Sequence, residues 1–399
     1  MKILMVNKFL YPNGGSETYI FKIGEKLREL GHQVEYFGME HPDRCVGNSL
    51  NLYTENMDFH NSSAVDKVKM SLKTVYSKEA RSKMLEVLKD FQPDVVHLNN
   101  FNFQLTPSII YAVDDYKKET GSNVKIIYTA HDYQLVCPNH MMRNLDAHEN
   151  CDKCLGGKYI NCTKGKCIHS STLKSLLGSV EGYIYNKKNT YKKIDKVICC
   201  SAFMEKALEN NPNLNGRTTV LHNFVDKEIP ENTEKKDYVL YFGRFDEEKG
   251  IDTICQCAKR LPDVKFIFAG KGSKEDLINS IDNIENVGFK TGEDLDRLIA
   301  EAAFTVYPSL WYENCPFSVL ESISLGTPVI GADIGGIPEL IDDGKTGMLF
   351  EAGNADDLTA KISKAFEDKE LCRKMAENCK ENSFLSLDEY TEKYLEIIN

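Results

Sequence analysis

The chain has 399 residues, 42% of them hydrophobic and 27% charged, with a formal net charge of -11 at pH 7. This balance excludes a disordered chain and supplies apolar material for roughly two domains of about 150 to 200 residues each. Residues 1–230 carry 30 Lys and Arg against 26 Asp and Glu, and the remainder carries 19 against 34, so the two halves face different partners or only one faces an anionic surface. For the Lys-rich cluster at 151–200, nucleic acid, a membrane surface and a plainly solvated helix face are the readings, and nucleic acid is not the expected partner.

The apolar run at residues 1–6 is too short for a signal-peptide core or a spanning helix, which predicts a cytoplasmic protein. In chain order, residues 2–6 read as a strand, Gly14-Gly15-Ser16-Glu17 as a tight turn, and 19–30 as a helix ended by Gly31, together half of a βαβ unit. Further short apolar strands fall at 33–38, 94–98, 124–129, 196–200 and 219–224, with helical stretches such as 105–116 and 202–208 between them. The charged, turn-like stretch 228–236 (EIPENTEKK) predicts a domain junction, giving an N-terminal domain over 1–228 and a C-terminal domain over 229–385. The second half repeats the alternation, with strands at 238–242, 264–269, 285–289, 304–307, 328–331 and 348–350 and helices at 251–260, 294–303 and 357–366. In the last segment, 386–399, Leu387, Tyr390, Tyr394, Leu395 and Ile398 form the apolar stripe of a helix that must dock, with the N-terminal domain as a candidate seat. Strands alternating with helices predict an α/β protein of two doubly wound parallel sheets, with ligand bound at their carboxyl ends in the cleft between them.

Three constellations carry chemistry. In ENCPFSVLESISLGTPV, Pro316 suits the first turn of a helix, so the amides of Phe317 and Ser318 would point from its N-terminus toward a ligand. Glu313 precedes that helix and Glu321 lies about a turn inside it, where two carboxylates can accept hydrogen bonds from hydroxyls on two parts of one ligand; a capping acid and a solvated helix acid are the plain alternative. Gly243-Arg244 and Lys249-Gly250 flank a turn after a strand, where a guanidinium and an ammonium suit a diphosphate and would replace a divalent metal. Gly14-Gly15 offers backbone amides to a phosphate, without the three-glycine dinucleotide fingerprint, and His131 in YTAHD follows a strand where such sheets place ligand contacts.

Two further features stand apart. The thirteen cysteines include Cys199, Cys200, Cys255 and Cys257 inside apolar patterns, where reduced thiols pack as small hydrophobes. An insertion over 137–169 holds Cys151-x2-Cys154 and Cys162-x4-Cys167, which can close a structural Zn2+ site, although free thiols are the alternative for the second pair's spacing. Residues 151–200 hold ten Lys and three acids, and the stretch 174–196 mixes those lysines with Leu, Ile and Tyr, as either a helix covering the sheet or one resting on an anionic membrane surface.

The ordered series GGSE, GRFDEEKG, FAGKG, VGF, Glu313-x7-Glu321, GTPVI, GG and DGKTGMLF resembles the family 4 retaining glycosyltransferases with the GT-B fold, over nearly the whole chain. The resemblance implies two Rossmann-like domains, a nucleotide-sugar donor, for which UDP is expected, and a saccharide or lipid-linked acceptor. It implies that Arg244 and Lys249 grip the donor pyrophosphate and Glu321 the ribose. Glu313, with Asn314, Cys315 and the amides at Pro316, Phe317 and Ser318, would hold the donor sugar. His131 would lie beside the transferred sugar, Gly14 and Gly15 near phosphate, Gly243, Gly270 and Gly272 along the nucleotide, and Val287 and Phe289 near the base. Catalysis would need no cofactor, would retain anomeric configuration and would use the leaving phosphate to help deprotonate the acceptor. A GT-B epimerase or phosphorylase and a non-catalytic sugar-nucleotide-binding protein are the alternatives.

Overall fold

A computed structural model describes residues 1–56 and 73–399, and it divides into two compact units, Met1–Leu221 with Leu387–Asn399, and His222–Ser386. In the first unit, strands β1 (Lys2–Val6), β2 (Gln33–Phe37), β3 (Val95–Leu98), β4 (Lys125–Ala130), β7 (Lys196–Cys199) and β8 (Thr218–Val220) form one parallel sheet in the order β2-β1-β3-β4-β7-β8. Between β4 and β7 a two-residue hairpin pairs β5 (Arg143–Asn144) with β6 (Glu149–Asn150). Ile3, Leu4, Met5 and Val6 are all fully buried, as a parallel strand covered on both faces requires.

In the second unit, β9 (Lys236–Arg244), β10 (Lys265–Lys271), β11 (Ile284–Asn286), β12 (Ala302–Tyr307), β13 (Val329–Ala332) and β14 (Gly347–Phe350) form a second six-stranded parallel sheet, ordered β11-β10-β9-β12-β13-β14. Each sheet therefore has a point where the chain reverses its direction of travel across the strands, between β1 and β3 in the first and between β9 and β12 in the second. Loops leaving strands on either side of such a point diverge and leave a crevice at the strands' carboxyl ends.

The division falls at Leu221, ahead of the charged stretch expected to mark it. Strand β8 stops at Val220 rather than running to 224, because the chain there is already committed to the second unit: Asn223 Nδ2 donates to the Cys315 carbonyl at 2.8 Å and the Val225 amide to the Leu385 carbonyl at 2.9 Å. The C-terminal helix, Leu387–Ile398, belongs to the first unit. Its Tyr390 hydroxyl donates to Tyr19 at 3.0 Å, and its Tyr394 hydroxyl meets His97 Nδ1 at 2.9 Å. Both tyrosines are fully buried, so the stripe seen in the sequence is a packing face with two polar pins.

Candidate active site

The reversal point of the second sheet collects the predicted cations and one of the predicted acids. Lys249 ends a short 3-10 turn, Glu247–Lys249, after β9, and its Nζ donates to Glu313 Oε1 at 2.6 Å from a position 64 residues away in sequence. The same Oε1 accepts from Ser309 Oγ at 3.1 Å and from Trp311 Nε1, and the Glu313 carboxylate is also hydrogen-bonded by Tyr307. Lys249 in addition lies 4.7 Å from the centre of the Trp311 ring. Burial alone pushes the Glu313 carboxyl upward, yet the charge of Lys249 and the bonds from Lys249, Trp311 and Tyr307 outweigh it and hold the group below its ordinary value. The result is a fixed, largely buried ion pair in which a lysine ammonium has one of its three donors committed to Glu313.

Arg244, the last residue of β9, is different. Its side chain remains 60% exposed, with Nη1 2.7 Å from Asp246 Oδ2 and Nη2 3.0 Å from Glu248 Oε1. It stands beside Lys271 in the register of β10, and Gly243 beside Gly270. A side chain at Gly270 would put its Cβ 1.9 Å from the Gly243 carbonyl, and one at Gly272 would reach the Phe245 backbone at 2.7 Å, so these glycines let the two strand ends close on each other.

Pro316 starts the helix Phe317–Ser324 at an extended backbone angle, which leaves the Phe317 and Ser318 amides without a preceding helical turn to bond. Phe317 packs edge-on against Phe224, and Cys315 is buried beneath the loop, its carbonyl held by Asn223. Asn314 is half-buried beside it, and Glu321 is half-buried one turn along the helix. Phe289 lies past the end of β11, because the chain turns at Gly288 with a φ of 72°, and it is 66% exposed with Lys271 Nζ 5.4 Å from its ring centre. Val287 instead packs against the apolar layer of Tyr238, Leu240 and Phe242 on β9.

Sequence reasoning named Glu313 and Lys249 separately but missed what joins them, the polar ring of Tyr307, Ser309 and Trp311. It also assigned no role to Gly335, whose φ is 61° and whose Cβ would fall 2.4 Å from the Glu313 carbonyl; the next amide, Gly336, donates to that carbonyl at 2.7 Å. The GG pair in the sequence was the available signal, since a glycine doublet marks close backbone approach.

The remaining predicted residues belong to the first unit. Gly14 and Gly15 are exposed at the start of the helix Gly15–Glu29, whose Glu17 is buried and accepts from Asn7 Nδ2 at 2.8 Å. His131 follows β4, with Nε2 2.9 Å from Asn99 Oδ1 and its ring 4.9 Å from Tyr19. Burial pushes its pKa down to about 3, so the ring is neutral at physiological pH. Asp132 beside it is pushed up to about 6 by burial, offset in part by Lys8 and the Gln134 amide. Cys151, Cys154, Cys162 and Cys167 line one small cavity together with Cys137. Among the described residues no helix is long and apolar enough to cross a membrane.

Comparison with known proteins accounts for both units. Residues 13–229 match Glycosyltransferase Family 4, and residues 224–382 match Glycosyl transferases group 1. An uncharacterized glycosyltransferase of Methanocaldococcus jannaschii is 31% identical over 222 residues, 54% of this chain and 62% of that relative, so the match spans less than two thirds of its length. N-acetyl-alpha-D-glucosaminyl L-malate synthase of Bacillus anthracis is 25% identical over 385 residues, 94% of this chain and 90% of that protein. HepE of Anabaena, solved in complex with UDP-glucose, superimposes with a TM-score of 0.65 at 16% identity over 99% of this chain and 98% of its own. With the family match extending over more than half of the chain and two parallel six-stranded sheets in the matching architecture, the chain belongs to the family 4, group 1 glycosyltransferases and has the GT-B fold.

Proposed function

We propose that the chain transfers a hexose-type sugar from UDP to a saccharide or lipid-linked acceptor in cell-surface polysaccharide or glycolipid synthesis, with retention of configuration and without a catalytic metal. The observation that carries this reading is the Lys249–Glu313 pair at the reversal point of the second sheet, with the exposed guanidinium of Arg244 on the adjoining strand end. When the bond from the sugar's anomeric carbon to the diphosphate oxygen breaks, negative charge grows on the departing diphosphate. Fixed cations there stabilise that charge without reorganisation, which is the work a divalent metal does in other phosphate sites. Glu313 orients the Lys249 ammonium, and, with the loop Asn314–Cys315 and the amides of Phe317 and Ser318, offers acceptors and donors to sugar hydroxyls. Glu321 serves the ribose. The acceptor oxygen attacks the face the diphosphate leaves, and its proton passes to the departing phosphate oxygen. UDP as the carrier is supported by the likeness to HepE, which was solved with UDP-glucose.

The first unit selects the acceptor in this reading, and a lipid-linked one suits its surface. The helix Thr172–Lys187 exposes Leu173 (61%), Leu176 (42%), Val180 (39%) and Tyr183 (43%), and its one acid, Glu181, is buried. An apolar stripe of this kind with Lys174, Lys187 and Lys188 around it and no exposed acid complements an anionic bilayer.

Incubation with UDP-hexoses and a panel of saccharide and lipid-linked acceptors in the presence of EDTA tests the whole reading. Acceptor-dependent UDP release, with the product's anomeric configuration matching the donor's by NMR, is expected. Conversion of the UDP-hexose to an epimeric UDP-hexose without acceptor would instead mark an epimerase, and binding without turnover a sugar-nucleotide sensor. Cosedimentation with phosphatidylglycerol vesicles, lost when Leu173, Leu176, Lys187 and Lys188 are all changed to Glu, tests the membrane surface; vesicle binding that survives the change would exclude it.

A further inference from the structure

We propose that Cys137, Cys151, Cys154 and Cys167 bind one Zn2+ that staples the segment between β4 and the helix Thr172–Lys187, while Cys162 is a core residue beneath the site. The segment has little else to hold it. Its regular structure is the β5–β6 hairpin, a 3-10 turn at Leu155–Gly157 and the five-residue helix Ile160–Lys164. Its own apolar cluster consists of Cys154, Tyr159 and Cys162, with Cys167 and Ile168 packed against them. So small a cluster does not fix a loop of this length, and coordination of a metal is the usual substitute for a core. The backbone is strained as well, since His140, Met142, His148, Lys166, His169 and Ser170 all have positive φ, between 47° and 68°. Conformations of this kind persist only when something over-determines them, and Lys166 lies immediately before Cys167.

Five thiols line the cavity in the middle of this segment, in company with the buried Arg143. Cys162, 1% exposed, is the most buried of the five, and the other four are the more accessible set. Cys137, Cys151 and Cys167 all stand near enough to Cys154 for their charges to act on it. Cys137 Sγ donates to Asn139 Oδ1 at 2.9 Å, and Cys167 and Cys151 are its neighbouring thiols. The Asn139 and Met142 amides bond the Cys137 sulfur and the Cys162 amide bonds that of Cys154, the outer contacts that orient sulfur ligands. Cys162 itself is 1% exposed on the helix Ile160–Lys164, and its thiol is hydrogen-bonded to Cys167. It packs with Tyr159 and Cys154 in the apolar cluster and is the most buried of the five thiols, so its place is under the site.

Among the described residues no three Cys, His, Asp or Glu side chains already stand at metal-ligand spacing, so binding draws the thiols together. With Zn–S bonds of about 2.3 Å, tetrahedral sulfurs sit about 3.8 Å apart, so movement of the thiols within their shared cavity is part of the proposed binding. Four Zn–S bonds form, four S–H bonds break and four protons go to solvent. The resulting doubly negative centre lies against Arg143.

Elemental analysis of the full chain, purified under reducing conditions without chelator, tests the assignment. About one zinc per chain is expected in the unaltered protein, less than a tenth of that in Cys137→Ser and Cys154→Ser, and an unchanged amount in Cys162→Ala. Because the serine variants can fail to fold, cobalt is also exchanged into the unaltered protein, where the intense visible absorption of a tetrahedral thiolate site is expected. Absence of zinc together with thirteen titratable thiols, disulfide formation in place of metal, or loss of zinc from Cys162→Ala with retention by Cys137→Ser each overturns the proposal.

Discussion

In the second unit Glu313 keeps its charge despite burial, because Lys249, Trp311 and Tyr307 converge on it. In the first unit burial wins: His97, His131 and His140 are each pushed down to about 3 and stay neutral, and Asp132 is pushed up to about 6. The second sheet's reversal point is built around a compensated charge pair, whereas the buried histidines of the first unit are neutral hydrogen-bonding groups. A diphosphate needs the first kind of environment and neutral sugar hydroxyls suit the second, which is the contrast the proposed function draws on.

The strongest test breaks the compensated pair. Lys249→Met leaves Glu313 buried without its cation, and removing one member of a buried pair costs about 3–5 kcal/mol of stability. Transfer should fall about 100- to 1000-fold, the range for losing a transition-state cation or donor. The double variant Lys249→Met, Glu313→Gln should recover most of the melting temperature and none of the activity; recovery of neither would mean that the pair does not carry the stability. Arg244→Ala sharpens the contrast within the site. Its side chain is 60% exposed, so thermal unfolding should be unchanged while kcat/KM for the donor drops about tenfold or more.

How much of this was legible in the sequence depends on whether a feature is local. The strands were, because fully buried parallel strands appear as short apolar runs between turn residues. The helix Lys78–Phe91 was not, since half of its 14 residues are charged and only Ala80, Met84, Val87, Leu88 and Phe91 mark its buried face. Phe289 reads as the end of a strand, but Gly288 turns the chain first and leaves the ring exposed. Glu313 and Lys249 could each be named from their motifs, whereas their direct bond spans 64 residues and depends on the order in which β9 and β12 pair. Cys137 has no spacing signal linking it to Cys151, and only the folding of the hairpin brings it to the same cavity.

A third prediction concerns a buried carboxyl in the first unit. Glu181 is 4% exposed, its Oε1 has no hydrogen-bond partner, and burial pushes its pKa up to about 8. With the folded value above the unfolded one, the folded protein holds the proton more tightly, so stability is fully present below the ordinary carboxylate range and declines as pH rises through about 8. Glu181→Gln should remove that decline, raising the melting temperature at pH 8.5 by several degrees and changing it little at pH 5. A parallel pH profile for the two proteins would show that the carboxyl is solvated after all.

The smallest effect belongs to the pins of the C-terminal helix. Tyr394→Phe keeps the ring that stacks on His97, 5.1 Å between centres, and removes only the hydroxyl that meets Nδ1. Because the His97 Nε2 contact to Thr129 Oγ1 at 2.8 Å survives, the loss should be that of one buried hydrogen bond, about 1 kcal/mol by denaturant unfolding. Tyr394→Ala, by contrast, empties a fully buried aromatic site and should cost about 3–5 kcal/mol. Near-equal losses for the two variants would mean that the hydroxyl, and not the apolar face of the ring, seats this helix on the first sheet's flank.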